Sequence, residues 1–120
     1  MRPAGEPYCS QKPLKHVADA GVRIALGTDS GVPGVELGSA VHGELELMLG
    51  AGLKPTQPIV AAAGNAAADV GQSDLGTIKG SKLAGLVVVS GDPLQEISDS
   101  RKIQLLVKDG EIVMTSEIGS

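Results

Sequence analysis

Val22-Arg23-Ile24-Ala25-Leu26-Gly27-Thr28-Asp29-Ser30 decides how the rest of the chain is read. An apolar, β-branched run ends in a glycine, a hydroxyl and a carboxylate. The pattern predicts a buried strand over 22–26 with one acid at its carboxyl end, where parallel α/β folds carry their chemistry. An acid in that place is costly to ionise unless a cation or hydrogen-bond donors offset the burial. Two answers stay open for Asp29: a bound divalent metal, or a structural hydrogen bond that caps the following loop.

Upstream, Leu14, Val17 and Ala18 recur three and four apart, which predicts a helix over 13–20. Gly21 suits the left-handed position after its end. Helix, one-glycine turn and buried strand make half of a βαβ unit. Downstream, Gly31, Pro33 and Gly34 predict an irregular loop whose backbone can approach a ligand closely. A second helix is expected over 39–51, with Leu45, Met48 and Leu49 on one face and Gly52 at its end. Thr56 is the expected N-cap of a third helix over 56–70, with Pro58 in the first turn, where no N–H donor is needed. From Asp74 the texture turns β-like. Strands are expected over 75–78, 86–89, 103–107 and 111–114, and Asp92-Pro93-Leu94 opens a turn. Asp109-Gly110 is a hairpin signal, because both residue types accept positive φ. The expected division is an irregular 1–12, an α/β unit over 13–72 and a β-rich unit over 73–120.

Composition narrows the classes. The 120 residues carry a formal net charge of −4 and one aromatic side chain, Tyr8. Without a basic stripe or an aromatic platform, no nucleic-acid partner is expected. No apolar stretch approaches the roughly 18 residues of a membrane span, and the first residues hold no apolar signal core. No membrane association and a cytoplasmic location are therefore expected. Cys9 is the single cysteine, which leaves no internal disulfide and no thiolate metal cluster. The core has to form from aliphatics alone. A chain of this size buries only about two thirds of its unfolded surface, so a covering partner is expected, either another subunit or a further portion of the same protein.

The order of motifs resembles a known family. Gly-Val-Arg-Ile-Ala-Leu-Gly-Thr-Asp-Ser at 21–30, Glu-Leu-Glu-Leu-Met at 44–48 and Ala-Gly-Leu-Lys-Pro-Thr at 51–56 are similar to the last barrel strand and following helices of metal-dependent amidohydrolases. Asn65-Ala66-Ala67, Asp74-Leu75-Gly76-Thr77-Ile78, Gly80-Ser81-Lys82-Leu83-Ala84, Leu86-Val87-Val88-Val89, Gly91-Asp92-Pro93-Leu94 and Val107-Lys108-Asp109-Gly110-Glu111-Ile112-Val113 continue the series. The resemblance is to the imidazolonepropionase-like and Xaa-Pro dipeptidase-like branch, and it covers about Leu14 to Val113.

That resemblance implies an α/β fold: the end of a (β/α)8 TIM barrel followed by part of a small β-sandwich, a fragment of a larger fold. It implies one or two divalent metals, usually zinc, and hydrolysis of C–N bonds in a small-molecule amide, of the cyclic amide or Xaa-Pro dipeptide type. Metal-bound water is acidified towards neutral pH, and a neighbouring carboxylate can take its proton and hand it on. Asp29 stands at the family's catalytic and metal-binding position. Thr28 would orient it through its hydroxyl, and the loop residues Gly31, Val32, Pro33 and Glu36 would border the substrate. The reading requires a strand leading into Asp29, with its carboxylate turned inward.

The chain departs from the family in its ligand set. Members bring a His-x-His pair from the first strand and single histidines from later ones, whereas only His16 and His42 occur here. Gly85 stands where the family usually has Asp, and Gly64 where it has Thr. One carboxylate cannot hold catalytic zinc, which takes three protein ligands, so this chain alone is expected to be inactive unless the rest of the barrel supplies them. The alternative is a non-catalytic interaction or oligomerisation module, a homo-oligomer joined through apolar helix faces and unpaired strand edges. His42 and Glu46, four apart beside Glu44 and Glu36, could face a metal or form a solvated helix face, and the latter is favoured. The glycines at 27, 31, 34 and 38 could cradle a phosphate, but their spacing fits no phosphate-loop pattern.

Overall fold

A computed structural model describes residues 11–31 and 38–115. Four helices come first: α1 (Gln11–Asp19), α2 (Ala40–Gly50), α3 (Thr56–Ala62) and α4 (Gly64–Asp69). A three-stranded antiparallel sheet follows, β1 (Leu86–Val89), β2 (Ile103–Lys108) and β3 (Glu111–Thr115), in that order across the sheet. A 3-10 helix, Ile97–Arg101, lies between β1 and β2 and packs on α2.

The helical core forms where the apolar spacing predicts it. In α2, Leu45 and Met48 are buried, three apart and so on one face. Met48, Leu53 and Ala61 form the central cluster, with Leu14, Ala18, Ile24, Leu26 and Ala51 packed against it. The expected helix over 56–70 is broken at Ala63 (φ −117°, ψ −83°) into α3 and α4. Thr56 does not cap it. The chain is already helical at Pro55 (φ −55°, ψ −30°), and no side chain caps α3 at that residue. Instead the Gln57 side-chain oxygen accepts from the Lys54 N–H at 2.7 Å, the reach-back half of a capping box.

Residues 75–78 do not form the expected strand. They turn back onto α4, with Gly76 against Ala63, Gly64 and Ala67. The Leu83 N–H donates to the Asp74 carbonyl at 3.0 Å, and Lys82 Nζ donates to Thr77 Oγ1 at 2.7 Å. The other three expected strands are present. Asp109 (φ 52°) and Gly110 (φ 82°) are both left-handed and join β2 to β3, as a type I′ hairpin requires. The register pairs Val107 with Ile112 and Lys108 with Glu111.

Burial is sparse. Among the described residues, five hydrophobic ones are buried (Leu45, Met48, Leu53, Ala61 and Ile97), against fourteen large ones that are exposed. All five residues of β3 are exposed, although Ile112, Val113 and Met114 are residue types that favour an interior. The structure holds more apolar surface than its own elements cover.

Candidate functional site

Residues 22–29 run without a ladder partner, so the expected barrel strand is not a strand of any sheet here. Its side chains still alternate as a strand's do. Ile24, Leu26, Thr28 and Ser30 are half-buried, while Arg23, Ala25, Gly27 and Asp29 are exposed, the period of two of extended backbone. Ile24 and Leu26 pack against the helical core, and two bonds hold them there. The Leu26 N–H donates to the Ala61 carbonyl at 3.0 Å, and Asn65 Nδ2 donates to the Ile24 carbonyl at 2.9 Å. A ladder needs a neighbouring strand, and none of the described residues provides one beside this segment.

Asp29 is past the extended stretch, because its backbone is left-handed. It is exposed, with φ 52°, where an inward carboxylate at a strand end was expected. The Thr28 hydroxyl shares a short hydrogen bond with the Ser30 hydroxyl. Gly31 follows, exposed, with φ 98°. Val32, Pro33 and Glu36 lie outside the described residues, as do Tyr8, Cys9 and Gly34.

Asn65 emerges as a positioning residue for this segment, and only its place in the Asn65-Ala66-Ala67 motif marked it in the sequence. Asn65→Ala is expected to destabilise by about 1 kcal/mol, the usual net value of one such hydrogen bond, and to speed amide exchange at Leu26. Unchanged exchange there would contradict the tethering role.

His42 and Glu46 do share a face of α2, partly solvated and bonded to a downstream element. Glu46 accepts from Arg101 Nε at 2.9 Å and Nη2 at 3.3 Å. His42 Nδ1 lies 2.9 Å from Ser100 Oγ. The partners come from the 3-10 helix more than fifty positions downstream, which no local spacing could reveal. The hydrogen bond from Arg101 holds the Glu46 carboxyl below its ordinary range. Burial, then the nearby Arg101 charge, lowers the His42 pKa, and Glu46 opposes the shift.

Both shifts have the same consequence. A folded state that disfavours protonation of His42 loses stability as pH falls below the ordinary histidine value of 6.5, since the unfolded chain then binds the extra proton. The lowered Glu46 pKa contributes stability above its ordinary 4.5, which is lost as pH falls through the folded value. Urea unfolding is expected to show lower stability at pH 5.5 than at pH 7.5, with a smaller drop in His42→Gln. Equal drops in the two proteins would contradict the role given to His42.

The residues present do not make a metal centre by themselves. Among the described residues, no three His, Cys, Asp or Glu side chains are grouped to hold an ion. Asp29 is one potential ligand, where zinc takes three from the protein. What the arrangement offers is an accessible carboxylate at the end of an extended segment.

The comparisons with known proteins bear on this arrangement. No curated protein matches the chain in sequence. A solved Xaa-Pro dipeptidase with methionine bound in its active site is 29% identical, with a TM-score of 0.80 over 88% of this chain and 25% of that one. Phenylurea hydrolase B is 28% identical, with a TM-score of 0.79 over 92% of this chain and 27% of its own. A putative prolidase from Bifidobacterium longum is 28% identical, with a TM-score of 0.78 over 83% and 25%. This chain thus spans about a quarter of the length of the structures it resembles. The model of the amidohydrolase family matches residues 10–113, across both the Asp29 segment and the sheet, and the chain belongs to that family.

Proposed function

We propose that this chain supplies the closing part of a (β/α)8 hydrolase acting on C–N bonds of cyclic amides or Xaa-Pro dipeptides. Residues 13–72 are the last barrel strand and its helices, and 73–120 are the C-terminal portion of a small β-sandwich. Asp29 is the catalytic acid and one ligand of a divalent metal, zinc by preference, whose other ligands come from outside the described residues. It takes a proton from the attacking water and returns it to the leaving nitrogen. Thr28 supports it, and Gly31, Val32, Pro33 and Glu36 border the substrate. The setting is cytoplasmic. No helix among the described residues is long and apolar enough to cross a membrane.

The observation that supports this reading above the others is the amidohydrolase-family match over residues 10–113. The described residues meet neither condition set by the sequence, a strand leading into Asp29 and an inward carboxylate, and in a barrel neighbouring strands would have to supply the ladder that residues 22–29 lack. Zinc-loaded chain alone is expected to leave Xaa-Pro dipeptides and cyclic amides intact. Turnover that Asp29→Ala abolishes would overturn the incompleteness of the site while keeping Asp29. Turnover indifferent to that substitution would overturn both.

The second reading, a non-catalytic association module, draws on the fourteen large hydrophobic residues exposed among those described. Light scattering across a concentration series tests it, and a monomer throughout would contradict it.

A further inference from the structure

We propose that α2 and the 3-10 helix form a latch between the helices and the sheet, that the latch opens while the helical core stays folded, and that protonation of His42 loosens it. The 3-10 helix is bound on two sides by neighbouring residues. On the sheet side, the Asp99 carboxylate accepts from the Asp92 N–H at 3.0 Å and pairs with Lys102 Nζ at 2.7 Å. The Lys102 carbonyl accepts from the Ser90 N–H at 2.9 Å. On the helix side, Ser100 meets His42 and Arg101 meets Glu46. Gly43 lies between those two positions of α2, and a Cβ there would stand 4.0 Å from Arg101 Nη2. Among the described elements, no helix of α1 to α4 makes an extended contact with a strand, and α2 with the 3-10 helix carries the contact between the two halves. The connecting loop packs on α4 instead, through Gly76.

Mild acid has little to act on in the helical core. Its cluster is Met48, Leu53 and Ala61, and no polar or charged residue is buried among the described residues. Between about pH 5 and 8 the side chains that ordinarily titrate are histidines, and the chain has two. His16 is exposed on α1. His42 stands in the latch, half-buried, facing Glu46 from its own helix and Ser100 and Arg101 from the 3-10 helix. α3 carries no charged side chain, and α1 meets the far end of α2, where Lys15 lies over Gly52. On a protonated His42, Nδ1 can only donate, so Ser100 can no longer donate to it. The proton also sets a second cation beside the Arg101 guanidinium, and Glu46, already shared with Arg101, offsets only part of that charge. Both changes fall on the contact that joins the two halves.

Native-state hydrogen exchange of the full chain in low urea tests the latch. The Asp99 and Lys102 amides, bonded to the Glu96 and Asp99 carbonyls, report the 3-10 helix. The Leu26 and Ala67 amides, bonded to the Ala61 and Ala63 carbonyls, report the helical core. Opening the latch exposes little surface, so the first pair is expected to exchange with a larger opening constant and a shallower urea dependence than the second. Arg101→Gln is expected to raise the opening constant at Asp99 and Lys102 about two- to fivefold. From pH 7.5 to 5.5, corrected for intrinsic exchange rates, that constant is expected to rise at least about twofold in the unaltered chain and to stay level in His42→Gln. One urea dependence shared by both pairs of amides would overturn the latch, as would Asp99 and Lys102 amides indifferent to Arg101→Gln. A constant that does not rise with acid, or a rise that persists in His42→Gln, would overturn the role of His42 in it.

Discussion

Gly76→Ala is expected to lower the unfolding free energy by about 3 kcal/mol, combining overpacking with the left-handed backbone penalty. A Cβ at this position would stand 2.7 Å from the Ala67 Cβ, 2.9 Å from the Ala63 carbonyl oxygen and 3.1 Å from the Gly64 Cα, and φ is already 92°. Those neighbours are backbone and a single methyl, so none can swing aside. The loop that carries Gly76 lies over the break between α3 and α4, so relief would have to move one of them. Gly71→Ala is the control. Its φ is 77° and nothing lies within 4 Å of an added Cβ, which leaves only the backbone penalty of about 1–2 kcal/mol. Urea unfolding of both variants separates the two costs, and equal midpoints would contradict the packing described around Gly76. With five buried hydrophobic residues in the described core, a loss of about 3 kcal/mol is a large share of the 5–15 kcal/mol typical of a domain.

The contrast between α2 and the α3–α4 pair shows what local sequence carries. In α2 the apolar spacing, the flanking Ser39 and the closing Gly52 agree, and the helix lies within a residue of its expected bounds. The hairpin at Asp109-Gly110 is equally local. The break at Ala63 is not. Gly64 weakens the alanine-rich run beside the break, but the backbone that approaches the break belongs to Gly76, thirteen residues from Ala63. The clasp of Glu46 by Arg101 spans 55 positions, and the short 3-10 helix that presents Arg101 has no periodic signal.

At the site, the sequence pointed to a buried strand over 22–26, whereas only Ile24 and Leu26 are half-buried and Val22, Arg23 and Ala25 are exposed. The missing pairing was not legible, because a ladder belongs to two segments. Asp29 was legible from the Gly-Thr-Asp-Ser motif, whereas its exposure and left-handed backbone were not. Asn65 and Ala61 hold that segment from the helix side, a role that composition and spacing do not announce.

The other large effect is on turnover. If Asp29 is the proton-carrying acid of a completed site, Asp29→Asn is expected to reduce kcat by about 10²–10⁴-fold, the usual contribution of a positioned acid or base. Stability should change little, because Asp29 is exposed and packs on nothing in the core. The measurement requires the rest of a barrel, and the solved Xaa-Pro dipeptidase offers a matching frame, since this chain aligns with 25% of its length. A chimera carrying residues 13–113 of this chain in place of that quarter, loaded with zinc, tests the central claim most directly. Hydrolysis of an Xaa-Pro dipeptide by the folded chimera, lost on Asp29→Asn, is the predicted result. A folded, zinc-loaded chimera whose turnover is the same with and without Asp29→Asn would contradict the account.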